Sequence, residues 1–230
     1  MDIRLMTSKI VAHLRDRGAV SATKTIGRGL WRKLRESPVD DFDQRHGTDT
    51  SGELALWEMT VMSSNARFGI RYQASAENDV VQVVNSLGID ARNFTFIDLG
   101  CGKGRTLLVA ARLGFRQVIG VEIGAELVEI ARANLAKLNV PNALVIYGDA
   151  AEYVLPSGAL VVYLANPFDA PVVSQVVHRL EHRIERCKTD ALYVAYKRPT
   201  CARLLDRSKF LRRLSAADVE GIAFWQGPAL

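Results

Sequence analysis

The sequence predicts an α/β fold, with a doubly wound and mostly parallel seven-stranded sheet that has helices on both faces. Short apolar runs rich in β-branched residues alternate with stretches of helical periodicity between residues 77 and 206. Two further runs, 210–214 and 221–225, follow without a long helix between them and indicate an antiparallel C-terminal strand. We expect the sheet domain in residues 65–230, preceded by a basic helical extension and polar loop in residues 1–64.

The order of the expected elements follows from the same periodicities. Strands are expected at 94–97, 117–122, 143–147, 160–165 and 191–196, and helices at 77–87, 125–138, 172–186 and 202–206. Residues 40–52 are polar and rich in turn formers, so they predict a loop, and a helix is expected from Leu54 to Met62. Amphipathic patterns at 3–17 and 30–35 predict the helices of the N-terminal extension.

The first long strand ends in a glycine-rich loop, Asp98-Leu-Gly-Cys-Gly-Lys-Gly, after which helical periodicity begins. Such a strand–loop–helix leaves backbone N–H groups pointing at a ligand, which approaches closely where glycine has no Cβ. The glycines fall as G-x-G-x-G, and Arg105 stands where the dinucleotide fingerprint G-x-G-x-x-G has its third glycine. The carboxylate of Asp98 disfavours a pyrophosphate and suits a cationic ligand.

This loop resembles motif I of the class I S-adenosylmethionine-dependent methyltransferases, which have a Rossmann-like sheet of seven strands. The resemblance implies S-adenosylmethionine as donor, S-adenosylhomocysteine as product and no metal. It also implies that Asp98 and the loop hold the methionine part of the donor. The loop residues concerned are Gly100, Cys101, Gly102, Lys103 and Gly104. The segment Tyr72-Gln-Ala-Ser75 resembles a Y-x-P-S/T element that covers the donor in some lysine methyltransferases, with Ala74 in the place of proline.

Two further acids stand at the ends of the next two strands. Glu122 ends the second strand, where nucleotide-binding α/β units use a carboxylate to bind ribose hydroxyls. Asp149 follows the third strand, and the resemblance implies that it meets the adenine amino group. The neighbouring Ile123 and Ala150 are assigned to the same donor site. Three acids at successive strand ends predict one ligand site at the carboxyl edge of the sheet.

The fourth strand opens on Asn166-Pro-Phe-Asp169, which resembles the N/D-P-P-Y/F motif of amino methyltransferases with one proline missing. The resemblance implies that Asn166 and Phe168 orient an amine nitrogen of a small molecule or a protein side chain. Asn166 is also assigned to the donor site, and Tyr72 and His46 are further candidate catalytic residues. A plain turn is the alternative for Asn-Pro. Two other functions remain open: O-methylation of a sugar or natural product with His46 or Asp49 as base, or donor binding by a non-catalytic subunit.

Composition narrows the class of partner. The whole chain has a net charge of +5, and residues 1–36 contain nine Lys/Arg and three Asp/Glu. The rest of the chain is therefore slightly acidic. This argues against a nucleic-acid acceptor and leaves membrane contact, a protein partner or plain solvation for the basic arm. The three scattered cysteines form no metal or disulfide pattern, and no apolar run has the length of a membrane span. We therefore expect a cytoplasmic protein, with peripheral membrane contact through the arm as an alternative. The oligomeric state is not predicted.

Overall fold

The computed structural model describes residues 41–54, 59–61, 63, 65, 72–165, 168–188, 190–219 and 221–228, which belong to one compact unit spanning Asp40–Leu230. Its helices are α1 (Asp41–His46), α2 (Glu77–Leu87), α3 (Arg105–Arg112), α4 (Ala125–Lys137), α5 (Ala170–Arg186) and α6 (Ala202–Asp206). Its strands are β1 (Glu53–Leu54), β2 (Tyr72–Gln73), β3 (Thr95–Leu99), β4 (Gln117–Glu122), β5 (Ala143–Tyr147), β6 (Leu160–Leu164), β7 (Leu192–Lys197), β8 (Arg212–Arg213) and β9 (Ile222–Gln226).

Seven strands form one sheet in the order β5-β4-β3-β6-β7-β9-β8. The strands β3 to β7 pair in parallel, and β9 runs antiparallel to both of its neighbours. The predicted sheet is therefore confirmed. The chain leaves β3 toward β4 on one side and returns to β6 on the other side. The switch point of this topology, where ligands bind in open α/β sheets, lies at the carboxyl ends of β3 and β6.

Two apolar layers fill the space between the sheet and its helices. On one face, α2, α3 and α4 pack over the strands through side chains such as Val83, Leu108 and Val128. On the other face, α5 and α6 pack through Val173, Leu205 and their neighbours. Every residue of β3 and β6 is buried, as expected for the central strands of a parallel sheet. The sheet is therefore a rigid base for the loops at its carboxyl edge.

Two local predictions were wrong. Residues 41–46 form the short helix α1 and not a loop, because Phe42 is 3% exposed and packs among the side chains of the α2–α4 face. Acids in its first turn and bases in its last turn also suit the helix dipole. Leu54 does not begin a helix, because Glu53 and Leu54 pair with β2 as an antiparallel strand. Both outcomes depend on tertiary contacts rather than on local periodicity.

Some predictions lie outside the described residues, namely those for residues 1–40 and most of the expected 54–62 helix. The domain boundary at residue 64 stays a prediction. Within the described part of the chain, no helix has both the length and the apolar character needed to cross a membrane.

Candidate functional site

The glycine-rich loop connects β3 to α3 at the carboxyl edge of the sheet. Gly100, Gly102 and Gly104 have φ values of 91°, 55° and 84°, a region that other residues rarely adopt. The backbone N–H groups of Gly100 and Cys101 donate to the carbonyl of Val121, at 2.8 and 3.2 Å. These bonds fix the loop against β4 and bring its backbone next to the end of that strand.

Asp98 lies beneath this loop and is 1% exposed. One carboxylate oxygen, Oδ2, accepts a hydrogen bond from the hydroxyl of Thr106, whereas Oδ1 has no hydrogen-bond partner among the described residues. Burial raises the pKa of Asp98 to about 7, the Thr106 hydroxyl opposes this shift, and the charge of Glu122 adds to it. A buried acceptor without a donor is costly in a folded protein, so Oδ1 is suited to a cationic or N–H-bearing ligand.

Glu122 joins the end of β4 to the glycine loop. Its Oε2 accepts the N–H of Gly102, and its Oε1 accepts the N–H groups of Ile123 and Gly124, each at 2.9 Å. Burial raises the pKa of Glu122, and these backbone hydrogen bonds oppose the increase. One lone pair of Oε2 is left over from these bonds, so the carboxylate can still accept from a ligand hydroxyl.

Asp149 holds a different segment at the end of β5. Its Oδ1 accepts the N–H of Ala151 at 2.8 Å, and its Oδ2 accepts the Ser63 hydroxyl and, at 2.8 Å, the Asn65 side-chain amide. Ala150 beside it is 5% exposed. Asp149 therefore anchors a wall of the site, and Oδ1 retains one acceptor position for a ligand.

Tyr72 covers the glycine loop from above. A Cβ at Gly102 would collide with the Tyr72 ring, so glycine at position 102 permits this close contact. The Tyr72 hydroxyl donates to the carbonyl of Thr50, and burial raises the pKa of the phenol. Ser75, two residues after β2, is 8% exposed, and its carbonyl accepts from Arg105 at 3.5 Å. The structure thus brings Tyr72 and Ser75 to the predicted loop.

A polar segment, residues 47–51, lies against the same loop, and we call it the strap. Lys103 Nζ donates to Asp49 Oδ1 at 2.6 Å and to the Ser51 carbonyl at 2.8 Å. Asn134 of α4 bonds to the strap and to the loop, since its amide donates to the carbonyls of Asp49 and Lys103, both at 2.9 Å. The Arg105 Nε donates to the Thr50 hydroxyl at 2.7 Å. Asn134 and Arg105 were not predicted, because neither belongs to a recognisable local pattern.

Asp43 in α1 organises the strap. Its carboxylate is 2% exposed and accepts from the hydroxyls of Thr48 and Thr50 and from the backbone N–H groups of Thr50 and Ser51. Burial alone raises a carboxyl pKa, but these hydrogen bonds outweigh it and hold the pKa of Asp43 at about 2. The density of Asp and Thr in residues 40–52 was the only signal of this network in the sequence.

The predicted acceptor residues are not all brought together. Phe168 is 9% exposed and packs in the apolar layer of α5, while Asn166 lies outside the described residues. His46 lies beside the last residue of α3, where its ring nitrogens are 2.8 and 2.9 Å from the Arg112 guanidinium. Partial burial and the charges of Arg112 and Arg45 lower the pKa of His46. The contacts of His46 therefore lie at the far end of α3 from the glycine loop.

The comparisons with known proteins agree with this geometry. Residues 90–189 match a family model described as a methyltransferase domain. This segment of the chain is therefore similar to a methyltransferase domain. A 16S rRNA methyltransferase from T. thermophilus, solved with AdoMet and guanosine, has a similar fold with a TM-score of 0.52 at 19% identity. The likeness covers 74% of this chain and 45% of that chain.

Two other relatives bear on the extent of the match. A putative methyltransferase from Escherichia coli gives a TM-score of 0.50 at 16% identity, over 78% of this chain and 100% of that chain. The ribosomal protein L11 methyltransferase of Shewanella piezotolerans is 33% identical over 94 residues, which are 39% of this chain and 32% of that protein. The match therefore spans about a third of that curated relative.

Proposed function

We propose that the protein binds S-adenosylmethionine and transfers its methyl group to an acceptor nitrogen. The observation that carries the donor assignment is the buried Asp98 carboxylate, whose Oδ1 has no hydrogen-bond partner among the described residues. It lies directly below the glycine-rich backbone. The α-ammonium of a methionine moiety supplies the N–H donors and the positive charge that Oδ1 needs.

The other acids suit the rest of the donor. Glu122 would accept a ribose hydroxyl through the remaining lone pair of Oε2, while its other bonds hold the loop in place. Asp149 would accept the adenine amino group at Oδ1 and hold the wall formed by Ser63 and Asn65. The donor supplies an activated methyl group, so these residues bind and orient rather than carry out proton transfer.

The nitrogen acceptor rests on the resemblance of Asn166-Pro-Phe to the amino methyltransferase motif. An in-line displacement needs an aligned lone pair, and a side-chain amide that accepts N–H bonds provides this alignment. O-methylation with Asp49 or His46 as base is the second candidate. The salt bridge of 2.6 Å between Asp49 and Lys103 favours Asp49 over His46 in that case, because it brings Asp49 to the glycine loop.

The donor assignment is tested by calorimetry with S-adenosylhomocysteine. The wild-type protein should bind, Glu122→Ala should bind at least tenfold more weakly, and Glu122→Gln should fall between them because it keeps part of the loop contacts. A wild-type protein that does not bind the product, while remaining folded by circular dichroism, refutes the assignment.

The acceptor assignment is tested by label transfer from tritiated donor to pooled acceptors. Asn166→Ala should abolish transfer while donor binding persists, and His46→Ala should leave transfer unchanged. Loss of transfer in His46→Ala with retention in Asn166→Ala would support O-methylation instead. Tight donor binding without transfer to any acceptor pool would favour a non-catalytic subunit.

A further inference from the structure

The Lys and Arg side chains of the N-terminal and C-terminal parts of the described chain differ in how often they form ion pairs. Within residues 41–165, six of the eight described Lys and Arg side chains lie within 4.0 Å of a carboxylate. Within residues 168–228, only three of eleven do, namely Arg183, Lys197 and Arg213. The other eight are exposed and have no carboxylate at that distance among the described residues: Arg179, Arg186, Lys188, Arg198, Arg203, Arg207, Lys209 and Arg212.

Arg203, Arg207 and Lys209 lie in α6 and the segment that follows it, beside α5, and we call this surface the basic face. The side chain of Ser208, between Arg207 and Lys209, donates to Glu181 of α5 at 2.7 Å. This bond places the segment after α6 directly beside the middle of α5. Arg203 and Arg207 are four residues apart, so they lie on the same side of the short α6 turn. Arg203, Arg207 and Lys209 therefore lie on one surface. Arg179 lies on the opposite side of α5 from Glu181, where its Nε donates to the carbonyl of Ala151 at 2.9 Å.

The sequence charge is divided in the same way. Residues 37–169 contain ten Lys/Arg and sixteen Asp/Glu, whereas residues 170–230 contain eleven Lys/Arg and six Asp/Glu. The slight negative charge of the body is thus the average of an acidic part and a basic part. The slightly negative average charge therefore does not exclude a polyanionic partner at the basic face.

The basic face also reaches the edge where the acceptor must bind. The strands β6 and β7 are parallel to β3, so their carboxyl ends share the edge that carries the glycine loop. α5 begins a few residues after β6, α6 begins a few residues after β7, and Arg198 directly follows β7. Arg198 donates to Gln73 at 3.1 Å, beside Tyr72, which covers the loop. A chain of phosphates along α6 would therefore lead to the donor site.

We propose that the acceptor is a nucleic acid, held by its phosphates on the basic face, with a base nitrogen presented at the carboxyl edge. This rests on the proposed methyl transfer and narrows its acceptor. Unpaired, exposed Arg and Lys side chains neutralise phosphodiesters and release the counterions bound to them. A lipid surface fits less well, because Val154 and Leu144 are the only exposed large apolar side chains in the described residues, and membrane binding by a peripheral face needs an apolar set.

The test measures fluorescence anisotropy of labelled single-stranded RNA and DNA of about 20 nucleotides, long enough to span a typical binding groove. The triple variant Arg203→Gln/Arg207→Gln/Lys209→Gln is compared with Arg92→Gln/Arg116→Gln/Arg132→Gln. Both remove three exposed cations, but the second set lies outside the basic face. The first should weaken binding at least roughly tenfold and lower the salt slope by about 2, and the second should change affinity less than about threefold.

Methyl transfer and donor binding complete the test. Label from tritiated donor should enter the RNA or DNA fraction with the wild type and the control variant, and should drop at least tenfold with the basic-face variant. Equal loss in both variants, label in the protein fraction alone, or binding only to anionic vesicles or polyglutamate would overturn the proposal. Calorimetry with S-adenosylhomocysteine separates the two claims, because failure of donor binding refutes the methyltransferase assignment and intact donor binding leaves it standing.

Discussion

At the scale of single residues, Asp98 predicts how donor binding depends on pH. Its carboxyl has a pKa of about 7 in the unliganded protein, so below pH 7 it is mostly protonated and must lose its proton to bind an ammonium. Affinity for S-adenosylhomocysteine should rise by up to about tenfold per pH unit between pH 5 and 7, and level off above that. Titration calorimetry across this pH range measures the affinity.

Two variants assign that pH dependence to Asp98. Asp98→Asn should bind weakly and with little dependence on pH. Thr106→Val removes the hydroxyl that donates to the carboxylate, so it should move the rise in affinity to higher pH. If Thr106→Val left the midpoint in place, another group would control the binding.

Gly102 gives a second prediction at this scale. Alanine there would meet the Tyr72 ring and would also occupy a positive φ, whereas alanine at Gly88, with a φ of 60°, would meet nothing within 4 Å. Gly102→Ala should therefore weaken donor binding at least tenfold, and Gly88→Ala should cost only about 1 kcal/mol of stability. Thermal unfolding and calorimetry distinguish them.

A double-mutant cycle tests the reason for the Gly102 effect. Tyr72→Ala removes the colliding ring, so the stability loss caused by Gly102→Ala should shrink in that background to about that of Gly88→Ala, about 1 kcal/mol. Additive losses would show that the two residues are not coupled through this contact.

The roles of single residues were only partly predictable from sequence. The positions of Asp98, Glu122 and Asp149 at the carboxyl edge were predictable from sequence, because the end of a buried strand has a fixed position in the sheet. Asp43 and Asn134 were not, because their functions depend on partners that are far away in sequence, such as the Asn134 amide that joins the strap to the glycine loop. No local periodicity encodes such a contact.

At the scale of elements, the strands β3 to β7 were predicted to within two residues at each end, since a short β-branched run bounded by Gly, Asn or Asp is a strong local signal. The helix α1 was missed because only Phe42 in its six residues is apolar and buried. The strands β1 and β2 were missed because two residues contain no periodicity and pair only in the folded chain.

The α1–strap unit predicts a response to acid. The pKa of Asp43 is lower in the folded protein than in the unfolded chain, so its contribution to stability is present above about pH 4 and is lost as the pH falls toward 2. Asp43→Asn should lower stability at pH 7 by on the order of 2 kcal/mol and flatten this acid dependence, because four hydrogen bonds to a buried carboxylate are weakened. Urea unfolding between pH 2 and 7 measures both effects.

Hydrogen exchange locates the same effect in the chain. The backbone N–H groups of Thr50 and Ser51 donate to Asp43, so they should exchange faster in Asp43→Asn, while the amides of β6 should be unchanged. A uniform increase across the sheet would indicate global destabilisation rather than release of the strap.

At the scale of the whole molecule, one sheet separates an acidic part of the chain from a basic one. The acids at the carboxyl edge belong to the strand ends of the donor half, and the unpaired cations belong to α5, α6 and the strands that follow. The net charge of the whole chain does not reveal this division, because it sums the charges of both parts. Charge counts along the sequence already show the division, but its placement on opposite faces of the sheet depends on which crossovers pack on which side.

The stability of the whole molecule should depend on pH through the buried carboxyl of Asp98. Since the pKa of Asp98 is higher in the folded protein than in the unfolded chain, the folded state holds an extra proton between about pH 4 and 7, and stability falls as pH rises through that window. The loss is at most on the order of 4 kcal/mol for this group. Asp98→Asn removes it, so at pH 7.5 this variant should be more stable than the unliganded wild type.

S-adenosylhomocysteine should reverse this loss of folding stability at high pH, because its ammonium group stabilises the ionised Asp98. At about 100 times its dissociation constant it contributes about 2.7 kcal/mol, which raises the melting temperature by roughly 5–10 °C for a chain of this size. At a fixed concentration of S-adenosylhomocysteine the increase should be larger at pH 7.5 than at pH 5.5, and nearly absent in Asp98→Asn. Differential scanning calorimetry at both pH values measures it. An increase that is independent of pH would place the ammonium away from Asp98 and leave the buried Oδ1 without the partner assigned to it.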